Sequence, residues 1–374
     1  MEILIGVAVS VIAAVILAVG GWFFRDRLGW LPSKEKRDLR ERLARVEGQL
    51  ELLTGGALAP ALGTQAIDTK ALAEQATENT ERLLAEAIEL QRAHKEREAI
   101  DRLLTAYNLA MPPEAKAELH LLAGNGFLRL ADLGEAEGHY RQALAAAEEG
   151  GEKQGRVAAF GNLGLVYADR GDLDRAEEHH KKSLSLHEEI GDKLGQANQL
   201  GNLGNVYTKR GALNKAEEHH KMALALDEEI GDKLGQAQDL GNLGLVYRRR
   251  GDLDRAEEHH RKSLSLHEEI GDKQGQANQL GNLGNVYAKR GDLDRAEEHH
   301  RRALVIEEEI GDKLGQANSL GNLGLVVAQR GDNGKARDLL QQATALYEAS
   351  GAGGEGPEIV RKSLQRLEAQ STDD

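Results

Sequence analysis

The chain has 374 residues, 40% of them apolar and 29% charged, a balance that supports several packed domains and argues against a mostly disordered polymer. Aromatics make up only 3% while glycines number 43, so apolar burial must come from Leu, Ile, Val and Ala, which favours stacked thin helices over a core of large rings. The absence of cysteine excludes disulfides, thiolate catalysis and Cys-type metal sites, and the net charge of −14 speaks against a nucleic-acid partner.

In chain order, the first element is the stretch Ile3 to Phe24, 22 positions without a charge. At 1.5 Å per residue a helix of that length covers about 33 Å, enough for a hydrocarbon core of roughly 30 Å. Trp22, Phe23, Phe24 and Trp30 gather at one end, where amphipathic rings favour the headgroup level. Residues 1–30 therefore read as a single-pass transmembrane anchor. Only Met1 and Glu2 precede the apolar stretch, which does not suit a cleaved signal peptide. Seven Lys or Arg lie between Arg25 and Ala44 and none before the span. The positive-inside bias then leaves the amino terminus outside and everything after the span in the cytoplasm, at the inner cell membrane.

Residues 34–54 place Leu39, Leu43, Val46, Leu50 and Leu53 alternately four and three apart, the seam of a short coiled coil that could pair two chains as a homodimer. A lone amphipathic helix fits the same two to three heptads. Residues 55–68 hold Gly55, Gly56, Pro60 and Gly63 and form a flexible linker. Residues 69–111 carry Leu72, Ala76, Leu83, Ala87 and Leu90 on one side, a helical stalk or docking helix that stops at Pro112 and Pro113.

Beyond them the sequence repeats. GNLG recurs at Gly161, Gly201, Gly241, Gly281 and Gly321, a period of 40 residues, with a worn copy at Leu121 that keeps Gly124, Phe127, Asp132, Leu133, Ala136 and His139 in register. Such a period marks an array in which one unit cannot bury its apolar face without its neighbours. Within a unit the pattern is helix, turn, helix. Leu194, Ala197, Leu200, Leu203, Val206 and Tyr207 recur at three- or four-residue steps until Gly211 ends the first helix. In the neighbouring unit Asp172 can cap a second helix, whose expected buried stripe is Leu173, Ala176, His180, Leu184, His187 and Ile190 before Gly191. Glycines inside the first helix, at Gly195, Gly201 and Gly204, each cost about 1 kcal/mol against alanine and are expected to serve close packing.

This pattern resembles the tetratricopeptide repeat, with its small and apolar signature met at Leu203, Gly204, Tyr207, Ala216 and Ala223 and at matching places in the other units. The extended 40-residue form with its IGDK connector is similar to the repeats of kinesin light chains, of the LGN/Pins adaptors and of many bacterial arrays. The resemblance implies an all-α fold: a right-handed superhelix, or α-solenoid, of about six helical hairpins over residues 117–356. Residues 357–370, with Pro357, Ile359, Val360, Leu364 and Leu367, are expected to form the solvating terminal helix.

The chemistry-bearing residues lead to a binding role. The histidine pairs 179/180, 219/220, 259/260 and 299/300 point about 100° apart on a helix and cannot share one metal ion. They read as flat, partly polar substitutes for aromatic packing, and burial that depresses their pKa would make the fold less stable as pH falls. GNLGNVYTKRG lacks the Gly-Lys-Ser/Thr of a phosphate loop, and the RGD triplets are inter-helix turns. Nothing assembles a nucleophile, a base and an oxyanion donor, so the chain does not read as an enzyme and implies no cofactor or metal. The family resemblance places Asn162, Asn202, Asn242, Asn282 and Asn322 on the concave side, joined by Asn205 and Asn285. Each side-chain amide can grip a peptide backbone regardless of its side chains. Lys209, Arg249 and Lys289, with the arginines at 170, 210, 250, 290 and 330, add positive charge there, or else complement helix dipoles. The expected function is a membrane-anchored bacterial scaffold or adaptor that holds an extended, acidic segment of a partner protein in its groove. A self-assembling, membrane-associated scaffold is the alternative.

Overall fold

The computed structural model describes residues 97, 98, 100, 113–351 and 353–372. The expected membrane anchor (1–30), coiled coil (34–54) and linker (55–68) lie outside the described residues, as does the stalk (69–111) apart from 97, 98 and 100, which are helical. None of the described helices is long and apolar enough to cross a membrane. The described residues are all-α, thirteen helices in a solenoid of repeated hairpins. They divide into two compact units at Leu186 and His187.

The first unit contains α1 (Pro113–Arg129), α2 (Leu133–Glu149), α3 (Lys153–Asp169) and most of α4 (Leu173–Ile190). Pro113, expected only to stop the preceding helix, stands at the first position of α1, where its missing N–H costs nothing and its fixed φ suits a helix start. The remaining helices form the second unit as hairpins: α5 (Lys193–Arg210) with α6 (Leu213–Ile230), α7 (Lys233–Arg250) with α8 (Leu253–Glu269), and α9 (Lys273–Arg290) with α10 (Leu293–Ile310). A fourth hairpin, α11 (Lys313–Gln329) with α12 (Asn333–Ser350), is followed by α13 (Glu355–Thr372).

The turns follow from local chemistry. Gly211 and Gly231 take φ of 78° and 74°, left-handed values that cost an L side chain, and so end α5 and α6. Ala131 stands in the corresponding turn of the worn first hairpin and still adopts φ 56°. Aspartates begin most helices: Asp192 accepts from the Gly195 N–H at 3.0 Å and Asp172 from the Arg175 N–H at 3.1 Å, as the spacing predicts.

The buried faces match the periodicity with informative exceptions. Ala197, Leu200, Leu203, Val206 and Tyr207 are buried on α5, and Leu194 is half-buried. On α4, Ala176, His180 and His187 are buried, Leu173 and Leu184 half-buried, but Ile190 is 37% exposed, and Ile230, Ile270 and Ile310 at the same place of later repeats are exposed too. Ser183 and Leu186 take the interior places that the expected stripe missed. Ser183 is buried because its hydroxyl donates to the Val157 carbonyl across the hairpin at 3.0 Å. Successive hairpins interlock through single side chains. Val286 of α9 packs on Leu243, Tyr247 and Ala256 of the hairpin before it, and Val326 repeats this on Leu283, Tyr287 and Ala296. At the carboxyl end Val360 and Leu367 of α13 close the core around Tyr347 and Leu340, while Ile359 faces solvent.

The helix-interior glycines fall into two classes. A Cβ added at Gly204, Gly244 or Gly284 would lie 2.6 Å from the ring of His220, His260 or His300 on the partner helix, so these glycines are where two helices touch. Gly164 does the same for His180 in the first unit. Gly281 differs: nothing lies within 4 Å of its added Cβ, and Gly201 meets only Asp239 Oδ1 at 3.4 Å. Close packing therefore does not account for Gly281. Gly284→Ala is expected to destabilise the full-length chain by roughly 1–3 kcal/mol through overpacking. Gly281→Ala is expected to stabilise it by about 1 kcal/mol through helix propensity. Circular-dichroism melts of both variants check the pair of signs.

Candidate functional site

The histidine pairs split into two roles. The first member of each stays on its own helix and hairpin: His259 and His299 Nδ1 sit 2.8 Å from the carbonyls of Arg255 and Arg295, and their rings pack on Tyr247 and Tyr287 at 4.9 Å. The second member is buried over the glycine of the facing helix. His220 Nδ1 is 3.1 Å from Asp239 Oδ1 and His260 Nδ1 is 2.8 Å from Gln279 Oε1, while neither nitrogen of His300 has a partner. Burial pushes His260 and His300 down to about 4, with Gln279 pulling the other way at His260. Asp239 is raised by burial against the pull of His220.

The arginines at the ends of the first helices are committed to ion bridges between hairpins. In the second unit Arg250 donates to Glu217 at 2.5 Å, and Tyr247 of the same helix donates to that carboxylate at 2.7 Å. Glu257 receives Tyr287 at 2.6 Å together with Arg290 and Arg261, and Glu297 receives Arg330 and Arg301. The first unit repeats the arrangement with Tyr167 and Arg170 on Glu137. Burial would raise Glu217, but Lys221, Tyr247 and Arg250 hold it down to about 2. Arg249 donates to the Thr208 carbonyl at 2.9 Å and Lys289 to the Arg248 carbonyl at 3.0 Å, bonds that tie each first helix to the end of the one a repeat earlier. Lys209 is exposed.

The asparagines are neither sealed nor fully free. Asn162, Asn202, Asn242, Asn282, Asn285 and Asn322 are half-buried and Asn205 is exposed. In the first unit Asn162 Nδ2 donates to Asn125 Oδ1 at 3.2 Å. In the second, Asn282, Asn285 and Asn322 line one cavity of about 470 Å³ between α9 and α11. Asn278 and Asn318, one helical turn before Asn282 and Asn322, complete an amide wall that sequence reasoning left out; an i−4 step from the named asparagines finds both. Gly281, with its open space, belongs to this lining. So do Leu314, Ser319, Asp312 and Glu307. No Lys, Arg or His is among the lining residues, and Lys289 is not part of it. The glutamate is the unexpected member. Glu307 is 4% exposed, accepts from Ser319 at 3.1 Å through Oε1, and has no partner at Oε2. Burial raises it to about 7, with Asp312 and Glu308 adding to the rise.

Five overlapping copies of the tetratricopeptide repeat profile match residues 116–189, 155–229, 195–269, 236–304 and 275–349, more than half the chain. The chain belongs to the tetratricopeptide repeat family. No curated protein matches it in sequence. Among solved structures, BtubC (BKLC) from P. vanneervenii is similar at 23% identity and a TM-score of 0.50, covering 62% of this chain and 94% of that one. A Rap protein complexed with competence and sporulation factor aligns at 16% identity and a TM-score of 0.54, covering 97% and 99%. NprR in complex with its cognate peptide NprX aligns at 16% identity and 0.53, covering 81% and 84%. At these identities the likeness concerns the fold, and the tetratricopeptide hairpins described above are what is shared.

The buried histidines of the tetratricopeptide hairpins give a signed pH dependence. A depressed folded value means that the unfolded chain binds more protons, so the stabilisation is complete above the ordinary value of 6.5 and is lost as pH falls toward about 4. Asp227 and Glu307, raised to about 7, act oppositely and gain stability on acidification, so the histidine contribution must be read as a difference. In the last hairpin Leu340 occupies the histidine's place over Gly324. The His260→Leu/His300→Leu variant is therefore expected to fold and to lose less melting temperature than the wild type between pH 7 and pH 5. Equal losses would remove the histidine contribution.

Proposed function

We propose that this chain is a non-catalytic, membrane-anchored scaffold that recruits a partner protein by holding an extended segment along the first-helix face of its tetratricopeptide hairpins. The observation that carries the reading is the amide-lined cavity of the second unit, with Asn278, Asn282, Asn285, Asn318 and Asn322 around the open space at Gly281. Asn282, Asn285 and Asn322 are half-buried, Asn278 and Asn318 are exposed, and Asn318 Oδ1 already accepts from the Tyr347 hydroxyl at 2.7 Å. Such a row of side-chain amides suits a main chain, which offers a donor and an acceptor at nearly every residue. Each bond nets about 0.5–1.5 kcal/mol, so a row of them is needed to order a flexible ligand. A glycine left open in a helix interior, at a cost of about 1 kcal/mol, leaves room for a backbone to approach. Rap protein and NprR were each solved with a factor or peptide bound, which supports the reading by analogy of fold.

The acidic character expected of the ligand rested on arginines and lysines. Arg250, Arg290 and Arg330 are paired with glutamates and Arg249 and Lys289 with carbonyls, so we do not retain an acidic ligand for this cavity. Anchoring through residues 3–24, with the repeats on the cytoplasmic side, remains part of the proposal on the strength of the uncharged span and the basic residues after it.

Two measurements test the reading. Asn282→Ala/Asn285→Ala/Asn322→Ala in the full-length chain is expected to lose cross-linking to partner segments while keeping its sedimentation; unchanged capture with altered sedimentation would favour self-assembly instead. For the anchor, the protein should stay in the membrane pellet after alkaline carbonate extraction, and its repeats should resist protease added outside intact spheroplasts. Release by carbonate would remove the anchor from the proposal.

A further inference from the structure

We propose that the cavity between α9 and α11 seats a cationic group of the bound segment, a protonated amine or a guanidinium, against the carboxylate of Glu307. The proposal rests on the peptide-groove reading and specifies what that groove selects. Three features of the cavity lead to it. Glu307 is 4% exposed and lines the space, yet its Oε2 accepts no hydrogen bond, a deficit that a buried carboxylate does not carry without cost. The second carboxylate of the lining is already spent: Asp312 Oδ1 accepts from the Gly315 N–H at 2.9 Å and Oδ2 from Gln274 at 2.9 Å. No cationic side chain of the lining answers either charge.

A neutral donor would satisfy the free oxygen, but only a cation also offsets the charge that burial disfavours, through a charge-assisted bond. The walls fit the rest of a basic side chain. Asn278 offers a side-chain carbonyl oxygen in the same lining and Leu314 an apolar surface for an aliphatic stem, while Asn318 Oδ1 already accepts from the Tyr347 hydroxyl at 2.7 Å. The groups that act on Glu307 are Ser319 from α11, Asp312 from the preceding turn and Glu308 from its own helix, while α9 presents only neutral side chains to the space. Its carboxyl, raised to about 7, is therefore partly protonated near neutrality, and a cationic ligand must displace that proton. Binding should strengthen about tenfold between pH 6 and pH 8, where a lysine side chain keeps its charge.

The test uses the purified full-length protein and arrays of acetylated, amidated octapeptides. Seven positions are mixtures of Ala, Ser, Thr, Leu and Val, and a central position is Lys, Arg, norleucine or Glu. A further norleucine pool carries a free amino terminus. Lys and Arg pools are expected to bind about tenfold better than norleucine at pH 7.5, with the preference and its pH dependence lost in Glu307→Gln. Glu298→Gln, an equal change of net charge at an exposed place on the same helix, should keep both. A preference confined to the pool with a free amino terminus would identify the cation as a chain end. Equal binding of Lys and norleucine pools, or a lysine preference that survives Glu307→Gln, overturns the cation site and leaves the peptide groove standing. Binding of no pool overturns both.

Discussion

The contact between a glycine of the first helix and a ring on the second sets the geometry of each hairpin. At Gly204, Gly244 and Gly284 the backbone comes so near the rings of His220, His260 and His300 that a methyl group would not fit. That approach brings the facing helices close enough for small residues such as Ala216, Ala256 and Ala296 to be fully buried, which is how a chain poor in aromatics closes a core. The worn and terminal copies keep the geometry with other fillers, Tyr140 over Gly124 and Leu340 over Gly324. What the fold requires at this place is a flat or branched side chain opposite an absent one. Imidazole is one solution, and it carries the cost of nitrogen atoms without partners at His300.

A second constraint acts between hairpins. Glu217, Glu257 and Glu297 each stand on the second helix of one repeat and collect an arginine from the first helix of the next, with a tyrosine added where the sequence supplies one. These carboxylates are largely buried and doubly or triply bonded, a setting in which a charge pair fixes register more surely than it adds stability. Val327 replaces the tyrosine in the last such position, and Glu297 there is served by Arg301, Arg330 and Lys335.

With one face of each first helix spent on the hairpin and its ends spent on neighbours, a polar strip is left over. Asn282, Asn285 and Asn322 fall on it because they sit just before or after the buried positions Leu283, Gly284, Val286 and Leu323. Among the described residues, the cavity they line is one place where hydrogen-bonding capacity is left over, and Glu307 Oε2 has no partner there. A binding reading follows from that surplus.

The sequence by itself determined the hairpin, because helix periodicity, aspartate caps and left-handed glycines are local and act within a few residues of where they are written. Its 40-residue period likewise determined the family and the asparagine column. It could not tell apart Gly204, which carries a helix contact, from Gly281, which does not, since that depends on what the neighbouring helix places opposite. The arginine column looked like groove charge or dipole complement, and only the tertiary structure showed its partners to be glutamates about 33 residues upstream. Glu307 was hidden for the same reason: in the sequence it is one of many acidic residues on a helix. Whether such a carboxylate is solvated or stranded is decided by the packing of three helices around it, a property that no single segment contains.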